Sequence, residues 1–369
     1  VIEEEGESIA VDESDLGAGL DPPASNKTRS CHGRSHLLQD GTCGCVALFR
    51  GRRCHKVVKV AGMKALQGHN PVVFSTKHLA AMNKIVIDTP LKSLVLAERL
   101  TERAKMAISE ILPASDPLAG RVYNACAIVG SSGSLMHDDQ GESIDSKDMV
   151  VRFNSAPTAG YERHVGSRTD LRISNGEHLG FVEGGEMVIH HLRSRSFLHS
   201  LLLYNIKFPG KVPYLVDPGF TAYVSRAASG IPSSGLFAVV LSLQVCRHVT
   251  LFGFHSSARH GSRHHYYNTE SPSNVARDDS EFTMLEAMAN ASLVAFAEPC
   301  VTECHGGQQE CERCRQAPLS ELAERERWTP AQRTANAKRE ARLKELSRWD
   351  WEVSRHWTFS EQEGLVQTA

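Results

Sequence analysis

Four features of this 369-residue chain combine residue types that do chemistry with spacings that would expose them. Residues 125–129 form a short apolar run, readable as a buried strand, and Gly130-Ser131-Ser132-Gly133 follows at once. Gly and Ser at the C-terminal edge of a strand let backbone N–H groups approach a phosphate unobstructed. A second run, residues 149–153, ends at Asn154, whose amide can donate to and accept from a base, a sugar or a phosphate. Further on, Leu236, Val239, Val240, Leu243 and either Val245 or Cys246 recur with helical period, and Ser233 or Ser234 would cap that helix before Gly235. Its unpaired N–H groups and positive dipole end would then suit a bound anion. Last comes His264-His265-Tyr266-Tyr267-Asn268. Each feature has an ordinary reading as well. Strands of any α/β domain end in Gly and Ser, core helices are often capped by Ser, and a His beside two Tyr is commonly structural. The Gly130–Gly133 spacing is not the G-x-G-x-x-G dinucleotide fingerprint.

The longer patterns carry more. Cys126-x-x-Val129-Gly130-x-Ser132-Gly133, Gly141-x-x-Ile144-Asp145, Asp148-x-Val150-x-Arg152-x-Asn154-x-Ala156-Pro157 and Gly160-Tyr161-x-x-x-Val165-Gly166-Ser167-Arg168-Thr169 together resemble the large sialylmotif of the eukaryotic sialyltransferases, glycosyltransferase family 29. Pro232-Ser233-Ser234-Gly235 followed by Cys246-x-x-Val249-x-x-Phe252-Gly253-Phe254 resembles that family's small motif, and His265 to Asn268 its third. The resemblance implies a modified Rossmann-like α/β fold, a GT-A-like variant with a mostly parallel sheet flanked by helices, over about residues 77–298. It implies an inverting transfer of a sialic acid from CMP-sialic acid to a glycan hydroxyl, with no metal cofactor. Gly130, Ser131, Ser132, Gly133 and Asn154 would hold the nucleoside; Ser233, Ser234, Gly235 and His265 would hold the phosphate. The family's paired cysteines map onto Cys126 and Cys246.

Two departures stand out. Ser131 replaces the Asn usual at that position of the large motif. The last family motif, H-x4-E, finds its Glu at Glu281, but Ala276 stands where the base histidine belongs. Asp278, Asp279, His255 and His264 are the candidate replacements. A transferase for another CMP-activated ulosonic acid such as Kdo, and an inactive glycan- or partner-binding relative, are the alternatives these departures leave open.

The elements that must position these residues read as alternating strands and helices: strands at 125–129, 149–153, 170–173, 187–190 and 214–216, and a helix at 282–294. Residues 77–112 show a helical apolar pattern that Pro90 would split into two helices. Residues 1–30 are acidic and Gly/Pro/Ser-rich, a flexible stem. Within 31–54, Cys43-x-Cys45-x5-Gly51-x2-Cys54 resembles the end of an EGF-like module, which implies Cys31–Cys43 and Cys45–Cys54 bridges; a generic stapled loop is the alternative. Residues 299–369 hold Cys300, Cys304, Cys311 and Cys314, read as two local disulfides or a zinc site, and then a charged, helix-prone tail with four Trp.

Ten cysteines and the sequons at Asn26 and Asn290 suit an oxidising secretory lumen, the Golgi for this family. A formal charge of -2 leaves no footprint for nucleic acid, and no apolar run reaches the roughly 18 residues of a spanning helix. The chain opens on Val, which suggests a luminal body whose type II membrane anchor precedes it. The partners expected are a CMP-sugar and a glycan.

Overall fold

The computed structural model describes residues 35–37, 42–63, 66, 68, 71–228, 230–255, 262–298, 301, 327–346, 353 and 356–367. Asn26, Cys31, Cys300, Cys304, Cys311 and Cys314, and with them the stem and the Cys-rich segment, lie outside the described residues.

Small antiparallel pairs come first: β1 (Ser35–Leu37) with β2 (Cys43–Cys45), β3 (Phe49–Arg50) with β4 (Lys56–Val57), and β5 (Ile85–Asp88) with β6 (Ser93–Ala97). A seven-stranded sheet follows, built from β7 (Tyr123–Val129), β8 (Met149–Phe153), β9 (Leu171–Ser174), β10 (Met187–His190), β11 (Tyr214–Leu215), β12 (Cys246–Phe252) and β13 (Ala295–Phe296). Its order is β11-β10-β9-β8-β7-β12-β13, and every pairing in it is parallel. Strands buried on both faces read as continuous apolar runs, which is why β8 and β10 were legible as Met-Val-Val-Arg-Phe and Met-Val-Ile-His. The chain lays strands outward from β7 to β11, then returns to place β12 on β7's other side. That reversal opens a crevice at the carboxyl ends of β7 and β12, where ligands of open α/β sheets bind.

The helices are α1 (Thr76–Ala80), α2 (Glu102–Ser109), α3 (Gly141–Asp145), α4 (Glu162–Val165), α5 (Arg195–Lys207), α6 (Pro218–Ala227), α7 (Ser234–Ser242), α8 (Val275–Asn290) and α9 (Pro330–Leu346). A terminal hairpin, β14 (Trp357–Ser360) and β15 (Gly364–Gln367), packs beside α2 and α5. Three expectations are corrected here. The stretch 77–112 is helix, hairpin, helix: Ile85 and Ile87 are buried while Val86 and Asp88 are not, a period of two. Asp88 to Lys92 turns back, with Thr89 Oγ1 donating to the Lys92 carbonyl, so Pro90 sits in a turn and splits no helix. Cys246 opens strand β12 and is not the last turn of α7. The α7 helix has no single buried face; residues Leu236 to Ser242 are all buried.

The reason is that α7 is covered from outside too. The amides of Ala47 and Leu48 donate to the carbonyls of Cys246 (2.7 Å) and Leu243 (3.0 Å), docking the N-terminal segment on the helix and strand that follow. Cys45–Cys54 staples that segment over nine residues, and Cys43 is disulfide-bonded as well. Cys126–Cys246 joins β7 to β12, with both cysteines fully buried.

Candidate active site

A hollow of about 360 Å³ opens at the carboxyl ends of β7, β8, β9, β10 and β12. Its wall at β7 is Gly130, Ser131 and Ser132. A Cβ on Gly130 would run into the Gly253 carbonyl oxygen, so only glycine lets the two strand ends meet. The Gly130 amide donates to Phe252 O (2.7 Å) and the Gly133 amide to Arg263 O (2.9 Å). The Gly130 and Gly133 amides are therefore not available to a phosphate, and Gly133 is buried and does not line the hollow. The Ser131 side chain bonds to Tyr267, and the Ser132 hydroxyl lies 2.8 Å from His255 Nε2 while accepting from the Ser134 amide.

Asn154 follows β8 with φ +48°, a left-handed turn that asparagine tolerates better than most residues. Its carbonyl accepts from Arg172 Nη1 (2.9 Å), and its Oδ1 accepts from the Asn175 amide (3.1 Å). Arg172 is fully buried and tied to Glu183 (2.7 Å) and Glu186 (2.9 Å), so a satisfied ion-pair cluster fixes the strained residue. Asn154 lines the hollow.

Ser233 caps α7 by accepting from the Leu236 amide (3.1 Å). In turn the Ser233 amide donates to Glu281 Oε1 (2.6 Å) and its hydroxyl to Glu281 Oε2. Helix α8 thus grips the start of α7. The first-turn amides of Ser234 and Gly235, both lining the hollow, have no partner within the helix. Burial raises the Glu281 carboxyl above its ordinary range, against the opposing hydrogen bonds from Ser233.

Opposite stands His265. Its ring stacks on Tyr267 with centroids 5.0 Å apart, and the His264 ring lies tilted against it at 4.1 Å. Its Nδ1 donates to Asn268 Oδ1 (2.9 Å) and lies 3.5 Å from Glu270 Oε2, which leaves Nε2 for a ligand. The Glu270 carboxyl is drawn down to about 2, first by that hydrogen-bonded histidine. His264 is pushed down to about 4 by burial and then by His265, and His178 to about 4 by burial and then by Arg339.

Of the other sequence candidates, Asp278, His255 and His264 line the hollow and Asp279 does not. Asp278 is held by Arg277 at 3.0 Å. Asn290 is exposed at the end of α8. Sequence reasoning missed Asn175, His178, Arg193, Phe254 and Arg277. Asn175 follows β9 as Asn154 follows β8, a strand-end signal that was available. The others enter through tertiary approach. Beside the hollow, a second one of about 340 Å³ shares Glu270 and is walled by Asn268, Trp328, Arg339 and Leu343. Helix α9 supplies that wall: Asn336 Nδ2 donates to the Tyr161 hydroxyl (2.9 Å), Arg339 Nη1 to Ser155 Oγ (3.2 Å), and the Arg339 guanidinium lies 4.8 Å from the Tyr267 ring centre.

A parallel sheet with a switch point, a capped helix at the crevice and an imidazole across from it define an open-sheet α/β protein with a crevice at its switch point. A sequence model of glycosyltransferase family 29 (sialyltransferase) matches residues 75–205 and 211–293, and the chain belongs to that family. It is 30% identical over 209 residues to the CMP-N-acetylneuraminate-beta-galactosamide-alpha-2,3-sialyltransferase 1 of Gallus gallus, covering 49% of this chain and 61% of the relative. It is 26% identical over 294 residues to the human beta-galactoside alpha-2,6-sialyltransferase 2, covering 63% of this chain and 54% of that one. The chain thus spans less than two thirds of these relatives' length. Among solved structures, a mammalian sialyltransferase aligns at 26% identity with a TM-score of 0.46, over 54% of this chain and 80% of the other. A mammalian sialyltransferase in complex with Gal-beta-1-3GalNAc-ortho-nitrophenol aligns at 22% identity with a TM-score of 0.45, over 64% and 98%.

Proposed function

We propose that the chain transfers a sialic acid from CMP-sialic acid to a glycan hydroxyl with inversion at the anomeric carbon. The single observation carrying this reading is the pairing of the free α7 start with His265 across one hollow. Asn154 and the Gly130–Ser132 wall hold the nucleoside. The phosphate rests on the Ser234 and Gly235 amides, with His265 Nε2 facing it. As the acceptor oxygen bonds to the anomeric carbon, the bond to the phosphate oxygen breaks and CMP leaves with the electron pair; helix dipole and imidazole stabilise that developing charge. No metal is required for this.

The acceptor proton goes to Asp278. It lines the hollow, unlike Asp279, and sits one half-turn from Ala276, where the family's base histidine is replaced. His264 is a poor base at neutral pH, since burial keeps it near 4. Glu281 acts through Ser233 as a positioning residue. The acceptor enters from the Glu270 side, where the second hollow adjoins the first. The stapled N-terminal segment is the remnant of an EGF-like module, Asn290 is a glycosylation site, and the disulfides fit a Golgi luminal setting.

The test is transfer from CMP-sialic acid to galactoside acceptors by the purified chain. His265→Ala is expected to lower kcat by about 10²–10³-fold. CMP binding with no turnover on any acceptor, or turnover of CMP-Kdo instead, would overturn the reading.

A further inference from the structure

One cation in the hollow is not accounted for by the roles above. Arg193 lies between the end of β10 and Ser194, the cap of α5, and its side chain lines the hollow. Its Nη2 donates to the Pro232 carbonyl (2.6 Å), the residue just before the Ser233 cap. That contact fixes the guanidinium against the start of α7. Its Nε is buried without a partner, and among the described residues no carboxylate lies within ion-pair distance.

The other guanidiniums differ. Arg172 is held by two glutamates, Arg277 by Asp278, and Arg152 donates to the carbonyls of Val165 and Arg168. The nearby acid, Glu281, spends both oxygens on Ser233. Burial pushes Arg193 down to about 10, with Arg277 adding to the fall and Glu281 opposing it. A half-buried guanidinium beside a helix N-terminus without a counter-ion carries a desolvation cost in the empty protein. The cost is offset when an anion enters.

CMP-sialic acid brings two anions, a phosphodiester and the carboxylate on the anomeric carbon. The amides of Ser234 and Gly235 and His265 serve the first. Arg277 is committed to Asp278. We propose that Arg193 binds the second, the sugar carboxylate, and so selects CMP-activated ulosonic acids over CMP and over neutral nucleotide sugars. The charged, donor-rich guanidinium suits a carboxylate, which would be met through Nη1 while Nη2 stays on Pro232. This assignment rests on the donor reading above and is separable from it.

The experiment is calorimetric titration of the purified chain with CMP and with the inert donor analogue CMP-3-fluoro-sialic acid. Arg193→Gln is expected to weaken the analogue on the order of 10–100-fold, as for loss of a charge-assisted contact, and CMP by less than about threefold. The ligand-free melting temperature of Arg193→Gln should be unchanged or higher, because a half-buried charge without a counter-ion is removed. Equal losses for CMP and the analogue would assign Arg193 to the phosphate and overturn the proposal. Loss of both together with a lower melting temperature would make it a staple for Pro232, and unchanged binding of both would also overturn it. A wild-type chain that binds neither ligand would sink the donor reading itself.

Discussion

Two buried glutamates show how one residue type takes different work from its surroundings. Glu281 holds the Ser233 amide and hydroxyl, and through them the helix start proposed to hold the phosphate. Glu298 holds the Gly253 amide behind the β12 end, and its second oxygen has no partner. Burial raises Glu298 from 4.5 to about 7, against the Gly253 hydrogen bond. Below the unfolded value both states are protonated and the contribution to stability is complete. As pH rises through about 7 the folded state must ionise a buried group, and that stability is lost. Glu298→Gln keeps an acceptor for Gly253 and removes the titration. The variant should match wild type at pH 4.5 and exceed it at pH 8 by on the order of 2–3 kcal/mol. Chemical denaturation at the two pH values checks this; an offset that does not change with pH would refute it.

At the scale of elements, α7 depends on α8 more than on its own sequence. Its cap hydroxyl is oriented by a carboxylate 48 residues downstream. Glu281→Ala removes two partly buried hydrogen bonds to one carboxyl group and should cost about 2–4 kcal/mol of stability. If Glu281 positions the phosphate helix, KM for the donor should rise at least tenfold while KM for the acceptor moves little. Equal changes in both would indicate general loosening. The hairpin β5–β6 teaches a related lesson about reading elements. Residues 85–97 carry a spacing compatible with a helix, yet Ile85-Val86-Ile87 is β-branched throughout and the period of burial is two. Short apolar runs do not distinguish the two; a turn at Pro90 does.

For the whole molecule, the Cys126–Cys246 link spans 120 residues and ties the two strands between which the chain reverses. On a chain-entropy model a closed loop of that length contributes about 4–5 kcal/mol. In a domain of this size the Cys126→Ser, Cys246→Ser pair should lower the melting temperature by about 10–15 °C. A fall under about 3 °C would show that the sheet needs no staple. The tail is also part of the body: α9 bonds to Tyr161 and Ser155, two residues of the large motif stretch, though it lies beyond the family-matched segment.

Much of the lining of the candidate site was legible because it is local. Asn154, Ser233, Gly130 and His265 each sit at the end of a strand, a helix or a turn whose pattern is written in five to ten neighbouring residues, and the cysteine pair travels with those patterns. The β8 and β10 boundaries followed from apolar runs buried on both faces. What tertiary structure alone decided is which polar groups are spent and which stay available. The Gly130 and Gly133 amides are consumed by Phe252 and Arg263, Glu281 is consumed by Ser233, and Arg193 is left over. Those outcomes depend on approaches across 39 to 130 residues. Periodicity records which face of an element is buried, but whether a buried charge meets its partner is settled only when distant segments pack.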